Sequence, residues 1–159
     1  MLQNQGSFVV HGQYIKDLSF ENKNAPASLM VQDQPQINIS FDIKVDMVDE
    51  NTFEVTTITQ VKADAKEQNL FLVELTYSGL FSVEASGEEE LEKVLLVQCP
   101  NYLFPYIRRI VSDVTRDGGF IPLLLQPIDF FGLYQQKKNT VNDNKSDKPK
   151  PKPKPTDKK

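Results

Sequence analysis

The sequence is poor in the residue types that most often catalyse reactions or bind metals. It has one cysteine, one histidine and no tryptophan. A lone Cys99 excludes an intramolecular disulfide, and His11 has no Cys or His partners with the spacing of a zinc site. The sequence also contains no P-loop, GxGxxG or GxSxG motif. These absences predict a protein that is not an enzyme and that has neither a metal nor a cofactor.

Long apolar runs are missing as well. The N-terminus has no basic region followed by an apolar stretch, so no secretory signal is expected. No window approaches the 18 or so consecutive apolar residues that predict a membrane-spanning helix. We therefore expect no stable membrane insertion.

Positive charge is scarce except at the C-terminal end. Residues 1–136 carry nine Lys and Arg against nineteen Asp and Glu, a net charge of −10, whereas residues 137–159 carry nine Lys against three Asp, a net charge of +6. Nucleic-acid binding needs Lys and Arg to replace phosphate counterions. The acidic body therefore argues against a nucleic-acid partner and favours basic partners.

Alternating apolar and polar residues predict a β-sheet in the first half of the chain. In the clearest run, residues 36–47, every second residue from Ile37 to Met47 is apolar. This period is typical of an antiparallel strand with one buried and one solvent-facing side. Three further strand regions are predicted, at residues 7–21, 53–64 and 70–85. Gly79, in the last of them, is interpreted as a bulge or bend.

The main helix is predicted within residues 98–119 and is expected to pack on this sheet. Its apolar residues recur at the spacing of one helical face; they are Leu103, Ile107, Ile110, Val111 and Val114. Because proline fixes φ and lacks a backbone N–H, we expect Pro100 and Pro105 to lie outside any helix interior, with Pro105 in the first turn. Gly118 and Gly119 are expected to end the helix.

Two shorter helices are predicted on either side of the main helix. One is expected to have Ser86 as its N-cap and to end at about Val97. The other would be capped by Asp129 and run from Phe130 to about Lys138. The predicted organisation is residues 1–6 as a flexible N-terminus, 7–138 as one folded domain and 139–159 as a disordered Lys/Pro-rich tail.

Two groups of residues point beyond an ordinary folded domain. Asp17, Glu21 and Glu74 fall on exposed strand positions with Leu72 among them. This is either an ordinary wet sheet face or a docking patch for a basic partner. Aromatic residues form the second group, which would either fill the core or line a groove for extended apolar peptide; they are Tyr102, Phe104, Tyr106, Phe120, Phe130, Phe131 and Tyr134.

Several motifs together resemble the SecB family of bacterial export chaperones. They are Tyr-Ile-Lys-Asp-Leu-Ser-Phe-Glu-Asn-Lys-Asn-Ala-Pro at 14–26, Leu-Phe-Leu-Val-Glu-Leu at 70–75, Cys-Pro-Asn-Tyr-Leu-Phe-Pro-Tyr-Ile-Arg at 99–108, and Gly-Gly-Phe-Ile-Pro-Leu at 118–123 followed by Pro127 and Asp129-Phe130. The resemblance covers about residues 8–136 in order. It implies an α+β fold, with a four-stranded antiparallel sheet followed by C-terminal helices, that assembles as a homotetramer, a dimer of dimers.

The resemblance also implies a function and roles for individual residues. The expected function is that of an ATP-independent cytoplasmic chaperone that keeps non-native precursor proteins unfolded and delivers them to SecA. The alternative is a SecB-like chaperone dedicated to a toxin–antitoxin system. The implied SecA-binding residues are Asp17, Glu21, Leu72 and Glu74. The implied substrate groove includes Phe71 and Tyr106. The implied oligomer interface includes Val73, Leu75 and Tyr77.

Overall fold

The computed structural model describes residues 6–146, with side chains as far as residue 140. Four long strands come first and three helices follow. The strands are β1 Ser7–Glu21, β2 Gln36–Asp49, β3 Thr52–Ala65 and β4 Gln68–Glu84. The helices are α1 Glu88–Lys93, α2 Cys99–Asp117 and α3 Phe130–Ser146. The chain between β1 and β2 contains a short 3-10 helix, Ala27–Met30.

The strands form one antiparallel sheet in the order β1-β4-β3-β2. Two tight connections join β2 to β3 and β3 to β4, so these three strands form a meander. β1 crosses over to the far side of β4, which places β4 and β3 in the centre and leaves β1 and β2 at the edges. The predicted α+β fold, a four-stranded antiparallel sheet followed by C-terminal helices, is confirmed.

The two faces of the sheet differ because alternate residues of a strand point to opposite sides. On the inner face, Val55, Val61 and Val73 are fully buried and share one apolar core with Leu103 and Ile107 of α2. We call the other side the outer face; no helix among the described residues packs across it.

Gly79 is not a bulge. It pairs in register with Gln13 of β1 and Val55 of β3, and the register shifts of β1 against β4 lie elsewhere. A Cβ atom at Gly79 would come within 2.5 Å of the Phe81 ring and 3.0 Å of Leu103. Glycine is therefore needed here for close packing, because the Phe81 side chain lies across this position.

The helical region continues through both prolines, so the prediction that they exclude a helix interior was wrong. Val94–Gln98 forms a π-helical turn that joins α1 to α2 without a break in helical backbone angles, and Pro100 lies in the first turn of α2. Pro105 lies inside α2. Because proline has no N–H, the carbonyl of Asn101 receives no helical hydrogen bond from position 105. Both residues are exposed, so water can donate to that oxygen instead.

The ends of the helices agree with the sequence only in part. Helix α2 ends at Asp117 as predicted, and Gly119 takes the left-handed φ of +88°. The N-cap of α1 is Gly87 rather than Ser86. Instead of capping the helix, Ser86 donates from its backbone N–H and its hydroxyl to the carboxylate of Glu90.

Helix α3 begins as predicted but is longer. The Asp129 side chain accepts a hydrogen bond of 2.9 Å from the Gly132 N–H. The helix then runs to Ser146 rather than to about Lys138. The prediction placed the boundary where the sequence becomes polar, but no proline stops the helix before Pro149. Residues 1–5 and 147–159, which include most of the predicted tail, lie outside the described residues.

Candidate functional site

The structure brings Asp17, Glu21, Leu72 and Glu74 together on the outer face of the sheet. In the register of β1 against β4, Glu21 is opposite Leu72 and Ser19 is opposite Glu74. Directly opposed residues of neighbouring antiparallel strands lie on the same face, with Cβ atoms about 5 Å apart. The three acidic residues are exposed and Leu72 is half-buried. We call these four residues the outer acidic patch.

Polar residues of β3 border this patch on its other side. The Gln60 side-chain amide donates to the Glu74 carboxylate at 2.8 Å. Lys62 is opposite Leu72 but its ammonium group pairs with Asp64 at 3.2 Å. Gln60 therefore holds Glu74 in place, and Glu21 pairs with Lys23 at 3.3 Å. Because exposed ion pairs are weak, a basic partner can compete for Glu21.

The outer acidic patch has the chemistry of a docking surface rather than of a metal or catalytic site. Exposed carboxylates attract and orient a basic partner, and an apolar side chain among them gains free energy when the partner displaces water. Among residues 6–146, no three His, Cys, Asp or Glu side chains come close enough to hold a metal ion.

Phe71 belongs to β4 and points to the inner face of the sheet, where it lines a groove. Its ring stacks on Phe20, with centroids 5.8 Å apart, and contacts Phe120 at 4.9 Å. The groove has a volume of about 570 Å³ and is bordered by the β1–β2 connection and the chain after α2. Its apolar lining includes Leu29, Val31, Ile37, Leu70, Phe71 and Leu123.

Tyr106 belongs to a different part of the molecule. It extends from the exposed side of α2 and stacks on Tyr77, with ring centroids 6.5 Å apart. Tyr102 contacts it at 6.0 Å. Since Phe71 contacts a separate set of aromatic rings, the structure does not place Phe71 and Tyr106 in one pocket.

The residues predicted for an oligomer interface are covered by their own chain. Val73, Leu75 and Tyr77 point to the inner face, where their exposed fractions are 0%, 1% and 6%. In a single chain, these side chains pack in the core that helix α2 closes. They therefore form the layer beneath α2 rather than a surface that is free for direct contact.

One exposed residue at the groove was not singled out by the sequence. Ile121 lines the groove and has an exposed fraction of 91%. It lies in an irregular segment, where neither a two-residue nor a 3.6-residue period identifies a face. The available signal was composition, because the segment of residues 120–127 is mostly apolar but interrupted by prolines.

Two residues with reactive side chains have structural surroundings. Cys99 is fully buried, and burial raises the pKa of its thiol to about 12. A thiol with so high a pKa is not an activated nucleophile at neutral pH. The ring Nε2 of His11 lies 2.7 Å from the Ser82 hydroxyl on the outer face. Neither arrangement resembles a catalytic site.

Within the described part of the chain, no helix has both the length and the apolar character needed to cross a membrane.

Comparison with known proteins identifies relatives over most of the chain. The family model described as preprotein translocase subunit SecB matches residues 2–141. The protein-export protein SecB of Parvibaculum lavamentivorans is 50% identical over 132 residues, which are 82% of this chain and 79% of that protein. The protein of the same name from Rhodopseudomonas palustris strain TIE-1 is 48% identical over 128 residues, 80% of this chain and 82% of that one.

A solved structure shares the fold at a greater evolutionary distance. It is the SecB-like chaperone Rv1957 of Mycobacterium tuberculosis, in complex with a ChAD peptide from the HigA1 antitoxin Rv1956. The similarity has a TM-score of 0.62 at 20% identity and covers 76% of this chain and 90% of that one. At this identity, the similarity supports the fold alone.

Proposed function

The chain belongs to the SecB family of protein-export chaperones, and on that basis we propose that it binds unfolded precursor proteins in the cytoplasm and delivers them to SecA through the outer acidic patch. The observation that carries this proposal is the common exposed face of Asp17, Glu21, Leu72 and Glu74. The export function expected from the sequence is confirmed by the family membership; the site and its partner are our proposal.

The composition of the patch suits a basic segment of SecA. Three carboxylates on adjacent strands steer a positively charged partner, and the half-buried Leu72, opposite Glu21 at one end of the patch, supplies an apolar contact. An exposed face on a rigid sheet requires little reorganisation before binding, which lowers the cost of association.

The groove at Phe71 suits extended segments of a precursor. A volume of about 570 Å³ is in the range of ligand pockets but small for a folded domain. Its walls are mainly apolar, so a segment would be selected by exposed apolar side chains rather than by sequence. Many weak contacts of this kind, on several copies of the chain, would give tight but unselective holding.

Assembly as a dimer of dimers is consistent with the apolar surface that a single chain leaves exposed. Ile15 and Leu18 on the inner side of edge strand β1 have exposed fractions of 46% and 37%, and Tyr102 and Tyr106 on α2 are also exposed. We infer that these residues meet a second copy. The interface would then depend indirectly on the buried residues that pack against α2 and hold it in position; they are Val73, Leu75 and Tyr77.

The alternative, a chaperone dedicated to a toxin–antitoxin pair, has weaker support. The structural relative bound to an antitoxin peptide is 20% identical, whereas the curated export proteins reach 50%. Export therefore remains the favoured function, and a pull-down of bound clients separates the two, since many different precursors would be expected for export and one antitoxin for the alternative.

The outer acidic patch can be tested by reversing one of its charges and by making its leucine polar. We expect Glu74→Lys and Leu72→Gln to abolish measurable SecA binding in calorimetry, because one introduces repulsion and the other removes the apolar contact. Precursor binding and the native mass of the oligomer should not change, since both side chains lie on the outer face. Glu50→Lys is the matched control: it reverses an exposed charge at the β2–β3 turn, and SecA affinity should be retained.

Undiminished SecA binding by both patch variants would refute the proposed site. A loss of SecA binding in Glu50→Lys of equal size would show that overall charge, rather than the patch, governs the interaction.

A further inference from the structure

The chain carries its own basic segment beside an acidic body. Residues 147–159 contain six lysines and two aspartates, and the lysines alternate with prolines from Lys148 to Pro155. This Lys-Pro segment has the same charge character as the partner proposed for the outer acidic patch. The question is whether the segment can reach that patch.

Helix α3, which leads into the Lys-Pro segment, carries one side chain that reaches a residue of the outer face. The Lys137 ammonium group lies 3.5 Å from the carboxylate of Asp42, on edge strand β2. Asp42 is opposite Ile58, Ile58 is opposite Thr76, and Thr76 is opposite Asp17. One row of the outer face therefore has Asp42 at one end and the patch residue Asp17 at the other.

The distances permit contact. Four adjacent strands place the two ends of this row roughly 14 Å apart. Helix α3 continues from Lys137 to Ser146, a rise of roughly 14 Å. The thirteen residues from 147 to 159 can span up to about 40 Å at the rise of a proline-rich chain. The segment is therefore long enough to return along α3, roughly 14 Å, and then to cross the sheet, roughly another 14 Å.

We propose that the Lys-Pro segment docks on the outer acidic patch of its own assembly and competes with SecA for that surface. The proposal rests on the proposed function of the patch and adds its regulation. The positive charge of the Lys-Pro segment complements the carboxylates of the outer acidic patch. Proline has no backbone N–H, so alternate residues cannot extend a sheet edge, and binding is through lysine ammonium groups that lie over the face. Each exposed ion pair is weak and salt-sensitive, but several on one tether act at a high effective concentration.

Cross-linking tests the contact without SecA. A carbodiimide, which joins amines to adjacent carboxylates, is applied to the full-length chain at low salt, and the products are mapped by mass spectrometry. We expect lysines of the Lys-Pro segment to be joined mainly to Asp17, Glu21 and Glu74, and the yield to fall at about 0.5 M salt, where the Debye length is a few ångströms. Exposed Glu50 and Glu88 are the control carboxylates. Equal yields at the control and patch carboxylates would overturn the proposal.

Competition is measured with a full-length variant in which six lysines become glutamine; they are Lys148, Lys150, Lys152, Lys154, Lys158 and Lys159. We expect this variant to bind SecA about three- to tenfold more tightly than wild type at low salt, with no difference at high salt. A control variant with alanine at Pro149, Pro151, Pro153 and Pro155 keeps every charge and should retain the wild-type affinity. Equal or weaker SecA binding by the glutamine variant would overturn the proposed competition.

The two measurements separate this proposal from the one it rests on. If SecA bound neither chain, the SecA site would be refuted, and the cross-links would still decide the contact of the segment. Binding of the full-length chain to phosphatidylserine vesicles that depends on the six lysines, with no cross-links to the patch, would assign the segment to a membrane surface and overturn the proposal.

Discussion

The two faces of strand β4 perform different tasks with adjacent residues. Val73 and Leu75 point to the inner face and have exposed fractions of 0% and 1%, whereas Glu74 between them is exposed on the outer face. The inner residues pack with α2 in the core. The outer residues contact mainly neighbouring strands and solvent. A single strand therefore holds the fold together on one side and presents a docking surface on the other.

The outer face is itself divided along its length. Near Glu74 it is polar and exposed, but further along β4 the hydroxyl groups of Thr56 and Ser78 are buried and share a hydrogen bond of 2.7 Å. Next to them, Tyr14 and Lys16 of β1 donate to the carboxylate of Glu54. In this half of the outer face the Glu54 carboxylate is thus already bound by neighbouring side chains of the sheet.

The largest expected effect comes from truncating the inner face. Leu75→Ala should lower the free energy of unfolding by about 3 kcal/mol, because it leaves a cavity at a position that is 1% exposed. Urea denaturation measures the change. Leu72→Ala on the outer face is the matched control and should cost less than about 1 kcal/mol, since Leu72 is half-buried. Equal losses for the two variants would abolish the distinction between the faces.

A smaller effect is expected from adding one carbon to the inner face. Gly79→Ala should cost about 1 to 3 kcal/mol, because its Cβ would lie 2.5 Å from the buried Phe81 ring, which must move. Gly12→Ala on β1 is the control, since a Cβ there meets no atom within 4 Å. Thermal unfolding of both variants checks the comparison. A neutral Gly79→Ala would show that the core beneath α2 is loosely packed.

The sequence predicted the sheet well because its faces have different environments. Alternation placed the second strand at residues 36–47, and the structure has Gln36–Asp49. Alternation also put Asp17 and Glu21 on one face, but it could not supply the register against β4 that brings them beside Leu72. Register depends on pairing between distant segments, which the period of a single strand does not contain.

The helices and the groove were harder to predict, for different reasons. Pro105 was expected to begin a helix, yet the packing of Leu103 and Ile107 in the core stabilises helix on both sides of it. The groove is formed partly by loops, where no period distinguishes a wall from a solvent-facing residue. Tertiary packing therefore outweighed a local rule in the first case, and in the second no local rule applied.

The smallest expected effect is a pH dependence at Glu54, in the half of the outer face away from the patch. Hydrogen bonds from Lys16 and Tyr14 lower the pKa of Glu54 below its ordinary value of 4.5. A carboxylate with a lowered pKa in the folded state stabilises the fold above its unfolded pKa, and this contribution disappears as the pH falls through the folded pKa. Glu54→Gln should thus be less stable than wild type by less than about 1 kcal/mol at neutral pH. In urea denaturation across pH, the difference should be constant above about pH 5 and vanish on acidification. If the stability difference instead grew below about pH 4, Glu54 would have no favourable charge interaction in the folded state. The hydrogen bonds from Lys16 and Tyr14 would then not stabilise this half of the outer face.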